Sequence, residues 1–256
     1  MNKIGIIGAG RAGTAFGYSL HLSGYKIIAF LEKNEINAKK FMQLTECKNW
    51  EKTPSQIFKE CDILFFTLPD DLIEKISNEM WENDFINENV FLFHASGALP
   101  SSILPGKRRA SIHPCISINF ERFPENTNFV IEGDEVAIEK AKEIVEKLKG
   151  KYYIIDKDKK LLYHSALCFV SPFCYTLLLI GEKILRDLNL PQNLICDLFM
   201  SICRNLKEKG IRESMTGPHL RGDVNLIKKE IDELKKKYPQ FSEIYRLLTD
   251  ALFKLK

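Results

Sequence analysis

The first 34 residues constrain the fold more than any other stretch of the chain. Lys3-Ile4-Gly5-Ile6-Ile7 is a short apolar strand that runs directly into Gly8-Ala9-Gly10-Arg11-Ala12-Gly13, a complete G-x-G-x-x-G. Thr14 to Ser23 reads as a helix with small and apolar residues on its inner side. Gly24 stops it, and Lys26 to Leu31 is a second apolar strand. With a strand before it and a helix after it, the glycine triplet is specific. The first glycine permits the tight turn, the second lets a pyrophosphate approach the backbone, and the third lets the helix pack close to the strand. An anion then meets unpaired N–H groups at the positive end of the helix dipole.

Composition narrows the partners. The 256 residues can bury a sizeable core, and a net charge of +3 without a long basic run gives no footprint for nucleic acid. Seven cysteines, an odd number and none in a C-x-x-C pair, suit a reducing compartment in which they pack as small apolar side chains. The N-terminus reads as a core strand rather than a signal peptide, so a cytoplasmic location is expected. Leu161 to Gly181 contains no Asp, Glu, Lys or Arg over 21 residues, long enough to cross a bilayer. It carries His164, Ser165, Ser171, Pro172, Tyr175 and Thr176 between charged flanks, and reads as a helix buried in a helical domain or a subunit interface.

Up to about residue 155 strands and helices alternate. Apolar strands are expected at Asp62–Leu68, Asn89–His94, Arg109–His113, Phe129–Ile131 and Tyr152–Ile155, with an amphipathic helix over Asp134–Leu148. Unbroken apolar runs suit a parallel sheet covered on both faces. From Asp156 onward only helical patterns remain: one long helix over Lys159–Leu188 with a bend at Pro172, then Pro191–Lys209, Asp223–Tyr238 and Phe241–Lys254. The expected architecture is a doubly wound parallel α/β sheet over 1–156 followed by an all-helical domain over 157–256. In such a sheet ligands sit at the C-terminal strand ends. Four of these, Gly8–Gly13, Thr67–Asp71, His94–Ala98 and His113-Pro114, would line one crevice.

Candidate chemistry gathers there. Glu32, at the end of the second strand, is placed to bind a ribose diol, whereas Lys33 beside it suits a 2′-phosphate, so NAD and NADP both stay open. Of five histidines, His94 and His113 end strands at the crevice, and His164 stands in the first turns of the long helix. A histidine can protonate the oxygen that hydride addition leaves charged. In Thr216-Gly217-Pro218-His219-Leu220-Arg221-Gly222-Asp223, Arg221 suits a bidentate grip on a substrate carboxylate or, equally, a loop-stabilising pair with Asp223. No His/Cys/Asp cluster has metal-ligand spacing, and no metal is expected.

Taken together, these segments resemble a family of NAD(P)-dependent oxidoreductases that join a Rossmann-like N-terminal domain to a helical C-terminal domain of unknown function. The resemblance rests on Ile6–Gly13, Leu68-Pro69-Asp70-Asp71, His94–Ala98, Ser111-Ile112-His113-Pro114, Tyr163-His164-Ser165-Ala166, and Thr216-Gly217-Pro218 with Arg221-Gly222-Asp223. It implies a fold like 6-phosphogluconate dehydrogenase, pyrroline-carboxylate reductase and ketopantoate reductase, a homodimer formed through the helical domain, and a small oxo-acid substrate such as 2-dehydropantoate. Three departures stand out: Glu32-Lys33 replaces a frequent Ser-Arg, Pro172 replaces a common asparagine, and Glu230 replaces a frequent histidine. The expected cofactor is NADP or NAD, held by Gly8, Ala9, Gly10, Arg11, Ala12, Gly13, Glu32, Lys33, Thr67, Leu68, Pro69, Ser96 and Gly97. The expected reacting groups are His113 and His164 for protonation, Ser96 to orient the oxygen, and Arg221 for the carboxylate. An imine reductase and a non-catalytic nucleotide sensor or scaffold are the competing readings of the same motifs.

Overall fold

The computed structural model describes residues 2–255, which form two compact units, one ending at Cys168 and the other beginning at Phe169. The first unit is built on an eight-stranded sheet. Its strands are β1 (Lys3–Ile7), β2 (Lys26–Leu31), β3 (Trp50–Glu51), β4 (Ile63–Phe66), β5 (Phe91–His94), β6 (Arg109–Pro114), β7 (Asn128–Gly133) and β8 (Lys151–Ile154), in the spatial order β3-β2-β1-β4-β5-β6-β7-β8. The helices are α1 (Arg11–Leu22), α2 (Glu35–Thr45), α3 (Asp70–Glu82), α4 (Glu135–Lys147) and α5 (Lys160–Val170).

Side chains alternate between the two faces of the sheet. Ile4, Ile6, Ile63, Phe65, Phe93, Ala110, Ile112 and Ile131 join one core with Phe16 of α1, Phe41 of α2 and Ile144 of α4. Ile7, Leu64, Phe66 and Leu92 join a second core with Ile73 and Met80 of α3. Two cores on opposite faces explain why the strands read as continuous apolar runs. The doubly wound α/β reading holds, with one difference. β6 and β7 pair antiparallel, so β7 and β8, parallel to each other, run against the rest. The loop 115–127 turns the chain straight back, whereas the parallel pairs around it are joined by crossovers, and an antiparallel neighbour needs none. β3 is too short for any periodicity. It is held by the Trp50 indole donating to the Glu32 carbonyl at 2.8 Å.

Strands end at Ile154, and the described chain is helical from there, as the sequence suggests. The sheet-bearing unit nevertheless continues to Cys168, past the expected boundary at 156, because α5 packs its first turns on the sheet. The expected single helix over Lys159–Leu188 is two. Ser171 leaves helical geometry (φ −114°, ψ −92°) and α6 (Pro172–Asp187) starts on the proline, whose missing N–H and fixed φ suit a first turn. The apolar stretch Lys157–Asp187 is long enough by composition to cross a membrane. Broken at Ser171, it gives helices of 11 and 16 residues, each short of the ~20 that span a bilayer.

The second unit holds α6, α7 (Asn193–Glu213), α8 (Pro218–Arg221), α9 (Val224–Lys237) and α10 (Pro239–Leu255). α7 loses helical geometry at Gly210 (φ +79°), where the sequence pattern also stops. The Tyr238 hydroxyl donates to Asp187 at 2.5 Å and the Tyr245 hydroxyl to Glu230 at 2.6 Å, tying α9 and α10 to each other and to α6. Glu230, where the resemblance leads one to expect histidine, is thus a hydrogen-bond acceptor within the bundle.

Phe16 is fully buried and meets the rings of Phe65, Phe123 and Phe129 at centroid distances of 5.1, 4.9 and 6.2 Å. Phe16→Ala should destabilise the sheet unit by about 3–5 kcal/mol in urea unfolding. A loss below about 1 kcal/mol would show that this aromatic cluster does not hold α1 to the sheet.

Candidate active site

The glycine turn has the geometry its sequence requires. Gly8 sits at φ +98°, and a Cβ there would lie 2.9 Å from a Leu68 methyl. A Cβ on Gly13 would lie 1.8 Å from the Gly8 carbonyl oxygen, so α1 approaches the turn as closely as only glycine allows. The Thr67 hydroxyl donates to that same carbonyl at 2.6 Å, locking the end of β4 to the turn. Gly10 ends the turn without a capping side chain, and no acidic residue stands in the first turn of α1. The space beside Gly10 is open, and the exposed Arg11 adds a positive charge. These first-turn N–H groups therefore suit the pyrophosphate of a dinucleotide. A cavity of about 520 Å³ opens there, lined by Gly10, Arg11, Thr14 and Asn119 among others.

The C-terminal ends of β1, β4, β5 and β6 lie side by side in the sheet, so the four expected strand ends do form one edge. After β5 the chain folds into a rigid loop. The His94 Nδ1 accepts from the Ser96 N–H at 3.2 Å, and its Nε2 lies 3.3 Å from the Pro100 carbonyl, which it serves as donor. The Ser96 hydroxyl donates to Asp70 at 2.9 Å and accepts from the N–H groups of Ala98 and Leu99 at 3.2 and 3.0 Å. Ser96 is thereby committed to shaping the loop, with its hydroxyl hydrogen already given to Asp70. His94, fully buried with both ring nitrogens engaged inside the loop, is a structural staple rather than a crevice-facing group.

On β6, buried Ala110 and Ile112 alternate with Ser111 and His113, which share the opposite face. Lys160, Tyr163 and His164 of α5 are spaced i, i+3, i+4 and meet that face. The Lys160 Nζ donates to the Ser111 hydroxyl at 2.5 Å and to the Ser96 carbonyl at 3.1 Å. The Tyr163 hydroxyl lies 2.7 Å from His113 Nδ1, and the His164 ring centre is 6.4 Å from that of His113. Gly97 fits between the two imidazoles. A Cβ there would be 2.9 Å from His113 Nε2 and 2.9 Å from His164 Cδ2.

Burial sets the charges. Desolvation, helped by the Lys160 cation, pushes His113 down to about 4 and His94 to about 3, so both imidazoles are neutral at pH 7. Desolvation lowers Lys160 to about 8, against the pull of Glu132 and Asp70. Burial pushes the Tyr163 phenol up, with Cys115 as a further cause.

The structure thus gathers Ser96, Gly97, His113 and His164, and aligns Gly8–Gly13 with Thr67, Leu68 and Pro69. Arg221 lies in the other compact unit, its guanidinium paired with Asp223 at 2.9 Å. Lys160 and the role of Tyr163 were not legible as site features. Lys160 closes the run Asp156-Lys157-Asp158-Lys159-Lys160, which looks like a solvated charge cluster. Its signal is the i, i+3, i+4 spacing of Lys160, Tyr163 and His164 on an otherwise apolar helix.

At the end of β2 one Glu32 carboxylate oxygen accepts from the Asn34 N–H at 2.8 Å, and Lys33 is exposed beside it. Glu32→Ala should shift the ratio of NADH to NADPH dissociation constants toward NADPH by about tenfold, roughly 1.4 kcal/mol. An unchanged ratio in fluorescence titrations would remove Glu32 from ribose recognition. The depressed histidines predict a pH dependence of stability. Between the ordinary 6.5 and the folded values near 3 and 4, the unfolded chain binds protons that the folded one does not. Stability contributed by the neutral rings is complete above about 6.5 and falls as the pH drops toward 4. Urea midpoints should therefore be lower at pH 5 than at pH 7.5, and His113→Asn should flatten part of that slope.

Residues 3–90 match the family described as NADP oxidoreductase, coenzyme F420-dependent, and residues 127–252 match a domain of unknown function, DUF2520. Residues 91–126, with His94, Ser96, Gly97 and His113, lie between the two matches. No curated protein matches the sequence. Among solved structures, BF3122 from Bacteroides fragilis, a presumed NADP oxidoreductase, is 21% identical over 99% of this chain and 98% of its own, with a TM-score of 0.80. Protein TM1727 from Thermotoga maritima is 27% identical over 98% and 97%, with a TM-score of 0.77. Pyrroline carboxylate reductase from Plasmodium falciparum, solved with NADP bound, shares the fold at 12% identity over 98% and 99%, with a TM-score of 0.60. With the glycine turn, the strand-end crevice and both family matches in one chain, the protein is an NAD(P)-dependent oxidoreductase that joins a Rossmann-like domain to a helical C-terminal domain.

Proposed function

We propose that this oxidoreductase reduces the carbonyl of a small oxo-acid, with 2-dehydropantoate the first candidate, and that it works in the cytoplasm as a homodimer formed through its helical domain. The observation that carries the carbonyl chemistry is the His113–Tyr163 pair facing Gly97. The dinucleotide is held by the Gly8–Gly13 turn and the end of β2, and when bound its nicotinamide supplies the hydride. Reduction of a carbonyl leaves a negative oxygen that needs a hydrogen-bond donor and then a proton. In this reading the Tyr163 hydroxyl is the donor to His113 Nδ1, which leaves the imidazole hydrogen on Nε2, 2.9 Å from the Gly97 Cβ position. His113 is then a neutral donor to the oxygen, and the half-buried His164 beside it gives the proton. Ser96 acts at one remove by fixing Gly97. Arg221, exposed and paired with Asp223, is the carboxylate partner in this reading.

The homodimer reading is supported by the apolar side chains that the second unit exposes. Phe169, Leu179 and Leu198 are each more than 60% accessible, more than an isolated domain in water tolerates in quantity. The cytoplasmic reading is supported by seven cysteines, none of them in a disulfide.

Oxidation of NADPH or NADH on addition of 2-dehydropantoate tests the reading, with pyrroline-5-carboxylate assayed beside it. Turnover of the imine but not the oxo-acid would replace this proposal with an imine reductase. On the productive substrate, His113→Gln should lower kcat by about 10²–10³-fold with cofactor affinity retained. Arg221→Ala should raise KM with little change in kcat. An unchanged KM would leave Arg221 as a loop-stabilising partner of Asp223.

A further inference from the structure

We infer that Lys160 is the positioning residue of the crevice: its buried ammonium clamps the Ser96 loop onto β6 and holds His113 as an uncharged hydrogen-bond donor. The inference rests on the proposed role of His113, and goes beyond it by naming the group that sets that histidine's state.

The geometry has three parts. Lys160 is 1% exposed, and the polar atoms that hold it, the Ser96 carbonyl and the Ser111 hydroxyl, are neutral. A buried ammonium without a direct carboxylate partner is costly and is kept where its field or its hydrogen bonds are used. Ser111 and His113 are two residues apart on one strand, so their Cα atoms stand about 7 Å apart and the ammonium bound to Ser111 lies on the same face as the imidazole. Finally, the Ser96 carbonyl is the anchor of the residue just before Gly97, which touches both imidazoles. Lys160 therefore acts on His113 in two ways, through the loop and through its charge.

The other titratable groups around the ammonium are accounted for. Asp70 of α3 is occupied by the Ser96 hydroxyl, and Glu132 of β7 by the backbone and side chain of Ser101 at 2.7 and 2.9 Å. His94 of β5 is held within its own loop, and Tyr163 and His164 stand on α5 beside Lys160. Both carboxylates spend their hydrogen bonds elsewhere, and the formal charge that acts on the His113 ring is the Lys160 cation. That arrangement disfavours an imidazolium.

The test reads the histidine directly. In protein labelled with ¹⁵N-histidine, two-bond ¹H–¹⁵N spectra from pH 4 to 8 give the charge and tautomer of each ring, with His113 assigned by its loss in His113→Gln. In the unmodified protein His113 should stay neutral down to the region of pH 4. In Lys160→Met it should titrate about one pH unit higher while still below an exposed histidine, and Lys160→Arg should keep it low. Titration of His113 near 6.5 in the unmodified protein would overturn the inference without any variant. So would an unmoved titration in a Lys160→Met protein that unfolds cooperatively. Neither outcome depends on turnover, so a protein that binds cofactor but reduces no oxo-acid would sink the proposed substrate and leave the role of Lys160 standing.

Discussion

One face of the sheet changes character at its C-terminal edge, and the rest of the site follows from that change. Along most of their length the strands bury apolar side chains against α3, but at the edge the same face presents His94, Ser111, His113 and Glu132. Polar groups taken out of water must find partners, because an unsatisfied one costs more than a formed bond returns. The chain answers by wrapping the loop 94–101 so that Ser96, Pro100 and Ser101 satisfy His94 and Glu132, and by laying α5 over Ser111 and His113. The position of α5, and hence the extent of the sheet-bearing unit, is set by this polar layer rather than by apolar burial.

The two halves of the site were unequally legible in the sequence. The dinucleotide half is local: Gly8, Gly10 and Gly13 act through backbone geometry within six residues, and a spacing rule captures them. The strand edge was also readable, since each turn follows an apolar run and the crossover rule places parallel strand ends together. The reacting half is not local. His113 and Lys160 come to one face of the sheet from 47 residues apart, and only α5 lying on β6 turns an apparent surface lysine into a buried one. The antiparallel turn between β6 and β7 escaped for a related reason, because the strand pattern itself is the same in either direction. Ser171-Pro172 was legible as a disturbance but not as a break, since proline is compatible with both a kink and a first turn.

The structure also separates two kinds of polar residue that look alike in sequence. His94 and His113 both end strands beside small residues. His94 has both nitrogens spent inside its own loop, whereas His113 spends Nδ1 on Tyr163 and turns Nε2 toward Gly97. Ser96 and Ser111 are likewise supporting groups, the first closing the loop and the second receiving the ammonium. In each pair the distinction is one of hydrogen-bond accounting, which depends on partners brought from other elements.

A neutral donor is chemically apt for such a crevice. An imidazolium would stabilise a negative oxygen more strongly, but within the pH range of a cell its population would swing with every small shift in surroundings. Held neutral by burial and by a neighbouring cation, His113 presents the same hydrogen-bonding face across that range. In the proposed reaction, charge complementarity is then left to groups outside the ring, the Lys160 field and a proton from His164. In that proposal hydrogen-bond orientation and proton supply fall to different side chains, His113 fixed by Tyr163 and His164 standing beside it.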